Sequence, residues 1–296
     1  MKLATTTGDF SAYTNSQSVA LAGVCKAGFK YADYSFGMDY KYQNGIYSDD
    51  FYAYVDSINK TAEELKIKLV QAHSPIGKPF EDNGELLKRT LKCVDACGAW
   101  GIKNLVVHSG YSYGFSKQKT FEENKKFFLP LLERAEKHGV NILVENFNKM
   151  CLKDIFWIDN ATDLLELIKK VNHPLFHAIW DVGHGNLQEM TQYEELALLK
   201  GHVKAIHVHD NMGDNDTHQT PFFGTVNWDS VMHGLSNIGY DGYFTFEVTT
   251  PFCPASKRRA FEKDSRQTPM ELINAFEGYL YGLGKCILEK YNCFEE

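Results

Sequence analysis

The chain repeats one unit from end to end: a short apolar run rich in Val, Ile and Phe, a polar turn, then an amphipathic helix. KLATTTG leads to SQSVALAGVCKAGF, YADYSFG to FYAYVDSINKTAEELKI, LVQAHS to GELLKRTLKCVDACGAWG, and NLVVHSG to FEENKKFFLPLLERAEKHG. NILVENF leads to ATDLLELIKKV, FHAIWDVGH to YEELALLKGH, KAIHVHD to NWDSVMHGLSNIG, and YFTFEVT to a closing helix from about Met270 to Tyr291. Eight strand and helix pairs, with no linker rich in Pro, Gly or Ser between them, predict a single (β/α)8 TIM barrel, α/β in class and spanning residues 1–296 as one domain. A doubly wound open sheet is the competing architecture. It would usually bring a glycine-rich phosphate loop after the first strand, and TTTGDF is not one.

Bulk properties narrow what such a barrel serves. Hydrophobic content of 44% with 23% charged residues is that of a soluble globular chain. No apolar run reaches the roughly 20 residues of a membrane span, and the start has no apolar core long enough for a secretion signal, so a cytoplasmic location is expected. The seven cysteines are odd in number, scattered and without a C-x-x-C pair, which reads as reduced thiols. A net charge of −7 disfavours a broad footprint on nucleic acid.

In a barrel of this kind function is expected where strands end and the following loops begin. His73 ends QAHS, His108 ends VVHS, Glu145 ends LVEN, Asp181 and His184 end WDVGH, and Glu247 ends FTFE. His207 and His209 share IHVHD and, two apart on a strand, the same face, while Asp216 and His218 follow in the next loop. That loop is either a polar lid hydrogen-bonded over the barrel mouth or part of a metal site. Glu145, Asp181, His207 and Glu247 come from strands five to eight and converge at one rim. Hard carboxylate oxygens plus an imidazole suit Mn2+, Mg2+, Co2+ or Zn2+. Phe10, Phe36, Tyr40, Phe147, Trp180, Phe222 and Phe223 are candidates either for barrel core or for the wall of a compact pocket. Lys257, Arg258 and Arg259 lie after strand eight, where many barrels bind phosphate, although such a run is more often a solvated face.

The strand ends VENF, DVGH, HVHD and FEV, in this order over nearly the whole chain, resemble the xylose isomerase-like barrels, which include sugar epimerases and isomerases, inosose dehydratases and endonuclease IV. In the ketose 3-epimerases of this family one divalent ion is held by residues that map to Glu145, Asp181, His207 and Glu247. Asp216-Thr-His218 resembles the D-x-H loop of endonuclease IV, and with His73, His108 and His184 the chain matches all nine ligand positions of that trinuclear site. His184, Asp216 and His218 are therefore candidates for a further ion. The loop departs from the family pattern at HQTPFFG, with Phe222 and Phe223 where a Gly is common.

The resemblance implies an isomerase or epimerase of a small sugar, polyol or sugar phosphate, with pairing into a homo-oligomer common among relatives. Its chemistry would be proton abstraction next to a carbonyl, with Glu145 and Glu247 as acid and base and His184, His73 and His108 contacting substrate. An inosose-type dehydratase begins with the same abstraction. An abasic-site phosphodiesterase is the other alternative, disfavoured because the loops TTTGDF and SFGMDYKYQNG offer only Lys41 for DNA backbone contacts.

Overall fold

The computed structural model describes residues 1–147, 155–249, 251–252 and 269–296. Eight parallel strands close into a barrel in chain order: β1 (Lys2–Thr6), β2 (Tyr31–Ser35), β3 (Lys68–His73), β4 (Asn104–Val107), β5 (Asn141–Glu145), β6 (Phe176–Asp181), β7 (Val203–Val208) and β8 (Tyr243–Phe246), with β8 pairing back to β1. Around them run α1 (Gln17–Lys26), α2 (Phe36–Tyr42), α3 (Phe51–Leu65), α4 (Glu85–Trp100), α5 (Lys117–Glu136), α6 (Ala161–Val171), α7 (Val182–Gly185), α8 (Gln192–Leu199), α9 (Trp228–Asn237) and α10 (Met270–Lys290). The barrel expectation holds. Among the described residues no helix is long and apolar enough to cross a membrane.

Local sequence explains where these helices sit. In α6, Leu164, Leu167, Ile168 and Val171 fall at helical spacing and are all buried, so one stripe faces the barrel. The Asn160 side chain accepts the Asp163 N–H at the start of that helix, and Asn172 closes it in the left-handed region at φ 51°. In α8 the Thr191 hydroxyl and the Glu194 carboxylate cap each other's backbone N–H. Two short helices, α2 and α7, occupy stretches read from sequence as strand ends and loop.

The pleat of the strands decides what lines the barrel, because alternate residues face opposite sides. Val106, Leu143, Ile179 and Ala205 form a small apolar cluster separate from the large core between sheet and helices. Two residues further along the same four strands stand His108, Glu145, Asp181 and His207. The polar site thus sits one layer above an apolar plug. Burial against the surrounding helices explains three of the aromatics. Trp180 precedes Asp181, faces the helices and donates its ring N–H to Gln192 at 2.7 Å. Phe36 stacks on Trp100 of α4, and Phe10 abuts Gly23 of α1. These three are core rather than pocket wall. Phe147 lies at the site, and Phe222 and Phe223 are exposed at the rim.

Candidate functional site

Glu145 is the hub. Its side chain is 1% exposed, and one oxygen lies 2.7 Å from His108 Nε2 and 3.3 Å from His73 Nε2, while the other lies 2.7 Å from His207 Nδ1. The Glu247 carboxylate reaches the same His207 nitrogen at 3.5 Å. Asp181 faces this group from β6, its backbone clamped by Asn146, which accepts its N–H at 2.7 Å and donates to its carbonyl at 2.9 Å. Oxygens of Glu145, Asp181 and Glu247 and a ring nitrogen of His207 all lie within 4.8 Å of one another, a spacing that one cation could bridge.

A second cluster adjoins the first through Asp181. His209 Nε2 is 3.0 and 3.1 Å from the two Asp181 oxygens, and its ring stacks on His218 with centroids 3.8 Å apart. His184 donates its Nδ1 proton to the Asn146 carbonyl at 2.8 Å and turns Nε2 to Asp216 Oδ2 at 3.0 Å. His218 donates Nδ1 to the Glu247 carbonyl at 2.9 Å, leaving Nε2 3.4 Å from Asp216. His184, His209, Asp216 and His218 form a second group with ligand spacing, and His73, His108 and Glu145 a third. The structure therefore brings every site residue expected from sequence into one contiguous cluster. His209 joins it with a stronger place than its strand position suggested. Gly183 makes room for it, since a Cβ there would lie 1.9 Å from the His209 ring.

The loop after β7 is organised by Asp210. Its carboxylate accepts the N–H groups of Phe222 at 2.9 Å and Val226 at 3.1 Å, and its backbone pairs with Gln219. His218 and Phe222 adopt positive φ of 46° and 70°, so the loop is bent to aim the His218 ring inward while Phe222 points out. Here lies the answer to the HQTPFFG departure. Phe222 takes the left-handed conformation that glycine would otherwise supply.

Charge balance within the cluster is unusual. Burial pushes the Glu145 carboxyl up, but the charge of His207 and hydrogen bonds from His108, His207 and His73 outweigh it and hold it well below the usual carboxylate range. Asp181 and Asp216 are also held low against burial, Asp181 by the charges of His184 and His209 and Asp216 by hydrogen bonds from His184 and His218. Burial lowers His207 and His184, yet the carboxylates lift both well above the imidazole range, and His218 is lifted to about 9. His108 goes the other way, lowered by burial beyond what Glu145 restores. Buried carboxylates are thus offset by protons on imidazoles. Among the described residues no Lys or Arg joins them, Asp216 Oδ1 lacks a hydrogen-bond partner, and so does His108 Nδ1. The same donors would satisfy hard divalent cations, so the residues fit the metal group that the sequence suggested.

Residues 21–266 match the family described as the xylose isomerase-like TIM barrel. Fructoselysine 3-epimerase of Escherichia coli O157:H7 is 26% identical over 127 residues, 41% of this chain and 43% of that protein. Probable endonuclease 4 of Mycoplasma mobile is 29% identical over 143 residues, 45% of this chain and 50% of that protein. In these two curated relatives the matched stretch covers half of the length or less. A solved D-tagatose 3-epimerase-like protein superposes with a TM-score of 0.75 at 18% identity, over 99% of this chain and 98% of its own. With eight strands in order, the strand-end carboxylates and histidines gathered at one rim and a family match over most of its length, the chain belongs to the xylose isomerase-like TIM barrel family.

Proposed function

We propose that the chain is a divalent-metal-dependent isomerase or epimerase of a small sugar or sugar phosphate, working by proton abstraction next to a carbonyl. The observation that carries this reading is the convergence of strands five to eight on one spot, with Glu145 and Glu247 at 2.7 and 3.5 Å from the same His207 nitrogen. Glu145, Asp181, His207 and Glu247 would hold Mn2+, Mg2+, Co2+ or Zn2+. Such an ion supplies Lewis-acid polarisation of a substrate carbonyl, which acidifies the neighbouring C–H. The relative named fructoselysine 3-epimerase supports the reaction class.

The rest of the chemistry falls to this chain's side chains. Glu247 is the more open carboxylate, 18% exposed against 1% for Glu145, so a substrate carbon meets it first. One glutamate takes the proton, and the other or the same one returns it. His184, His108 and His73 stand around the mouth, where they can donate to substrate hydroxyls or oxyanions. Phe147, in ring contact with both His108 and His184 and stacked on Trp157 at 3.8 Å, gives a sugar an apolar face to rest on. Lys257, Arg258 and Arg259, read from the sequence as a candidate phosphate contact, lie outside the described residues.

One specific observation favours a second reading. The His73, His108, Glu145 group and the His184, His209, Asp216, His218 group flank the central quartet, and three adjoining cation sites would suit phosphodiester cleavage. A screen of phosphorylated and unphosphorylated ketoses with added Mn2+, reading exchange of substrate C–H with solvent deuterium, separates the two. Exchange supports the epimerase; cleavage of abasic DNA with no exchange on any sugar replaces it with the nuclease. Loss of water from an inosose with exchange assigns the dehydratase.

A further inference from the structure

The mechanism above leaves a buried polar layer inside the barrel unused. Below His207, on the side away from the glutamates, β2 and β3 place Asp33 and Gln71 opposite each other in register. Asp33 is fully buried, and Oδ2 lies 2.9 Å from His207 Nε2 and accepts a hydrogen bond from Gln71 Nε2 at 2.8 Å. The β2–β3 pairing shifts by one residue between Ala32 and Asp33. Such irregularities re-aim a side chain, and this one delivers a carboxylate into the barrel lumen, where an apolar residue would be expected from the Val106, Leu143, Ile179 and Ala205 layer on the other side.

We infer that Asp33, held by Gln71, is a positioning residue that fixes the ring of His207 so that Nδ1, and not Nε2, is offered to a cation among Glu145, Asp181 and Glu247; this rests on the metal reading proposed above. A carboxylate only accepts, so Nε2 facing Asp33 carries its proton, and the Gln71 amide nitrogen, 2.9 Å from the same Nε2, turns its hydrogen to Asp33 instead. The nitrogen left to give a lone pair is Nδ1, which already points at the carboxylates of Glu145 and Glu247. Histidine ligands commonly bear such a carboxylate behind them, which fixes tautomer and ring orientation and raises the basicity of the ligating nitrogen. The layer has an energetic signature as well. A buried carboxylate costs stability unless it is paired, and Asp33 Oδ1 has no hydrogen-bond partner among the described residues. A side chain kept there solely for packing would be better served by Leu or Met.

The test reads metal binding and the ring itself, without substrate. Chelator-stripped wild type, Asp33→Asn and Gln71→Leu are titrated with Co2+ while the visible absorption is followed, and long-range 15N–1H spectra of the zinc-loaded proteins report which His207 nitrogen is protonated. Asp33→Asn is expected to bind the tightest Co2+ about 10–100-fold more weakly, with a shifted visible band and with the metal-free melting temperature unchanged or raised. Gln71→Leu is expected to move both readouts in the same direction by less. Wild-type Co2+ affinity, band and Nε2 protonation in Asp33→Asn would overturn the inference and leave the metal reading intact. Should Asp33→Asn fail to fold, an unchanged Gln71→Leu protein on all three readouts overturns it equally. A wild type that takes up no Co2+ overturns the metal reading and this inference together.

Discussion

Two clusters of buried acids flank the barrel mouth, and they titrate in opposite directions. Glu145 and Asp181 are 2% and 0% exposed; Asp9 and Glu277, where the loop after β1 meets α10, are 1% and 0%. Burial is therefore equal and cannot be the deciding term. What differs is the company. Glu145 faces three imidazoles and is held well below the usual carboxylate range, whereas burial and the Coulomb repulsion of Glu277 and Glu247 push Asp9 well above it. Glu277 rises to about 7, mainly through burial, against the hydrogen bond from Thr5. Two buried carboxyls close to each other raise one another's pKa. One cluster thus holds carboxylates ionised beside imidazoles, and the other holds two carboxyls that burial pushes up, one of which ties α10 to β1 through Thr5.

The largest effect expected from breaking this contrast is on the ionised side. Asp181→Ala and Glu247→Ala together should abolish stoichiometric metal, measured by elemental analysis of protein purified without chelator, because two of the quartet's three carboxylates disappear. Full occupancy in that double variant would sink the assignment. Glu145→Gln and Glu247→Gln singly should lower substrate deuterium exchange by roughly two or more orders of magnitude, since an amide cannot carry the proton. Chelation of the wild type should lower the melting temperature, the lost linkage amounting to about 2.7 kcal/mol if the ion is present at a hundred times its Kd. An unchanged melting curve after verified metal removal would mean the ion contributes nothing to the folded state.

The adjoining group of His184, His209, Asp216 and His218 comes next in size. Asp216→Ala and His218→Ala are expected to remove a second equivalent of bound metal while the quartet keeps its own. Unchanged stoichiometry and turnover in both variants would make the loop after β7 a structural lid.

Much of this was legible in the sequence, for identifiable reasons. The eight repeats carry the barrel, because strands buried on both faces read as apolar runs and α6 announces itself by an Asn160 cap and an unbroken buried stripe. Glu145, Asp181, His207 and Glu247 are legible because polar residues at the ends of such runs have no packing reason to be there. The pleat is less legible. Whether Trp180 belonged to core or pocket wall stayed open in the sequence, since one residue's register turns a side chain from lumen to helix face, and a run buried on both sides does not mark which is which. Asp33 was missed for the related reason that a bulge, invisible in the sequence, decides its direction. The Asp9–Glu277 pair was out of reach altogether. Its partners stand at opposite ends of the chain, and nothing in either local sequence names the other.

That pair gives the remaining predictions their pH dependence. The folded-state pKa of Glu277, about 7, lies above the unfolded value near 4.5, so the folded protein binds the extra proton between those limits. The stability this contributes is fully present below the unfolded value and is lost as pH rises through about 7. At about 1.4 kcal/mol per unit the loss is on the order of 3 kcal/mol. Glu277→Gln keeps shape and hydrogen bonding without the ionisation, so denaturant melts should show it gaining on the wild type from pH 5 to pH 8. Parallel curves for the two proteins over that range would show that Glu277 does not titrate in this window.

The smallest effect sharpens the same contrast. Thr5 Oγ1 donates to Glu277 Oε2 at 2.9 Å, and this bond favours the ionised carboxyl, drawing the pKa of Glu277 down against burial. Thr5→Val keeps the branched shape that suits a strand and removes only the donor. Two consequences follow from one lost hydrogen bond. Stability should fall by about 1 kcal/mol, the ordinary net contribution of such a bond. The pH window over which Glu277 loses its proton should also move upward, because the charged form has lost a donor. Melts of Thr5→Val at closely spaced pH values therefore distinguish a merely packed threonine from one that tunes the pair. A uniform loss at every pH speaks for packing alone, whereas a loss that grows above neutrality, where the wild type has begun to ionise and the variant has not released its proton as readily, places Thr5 in the electrostatics of the joint.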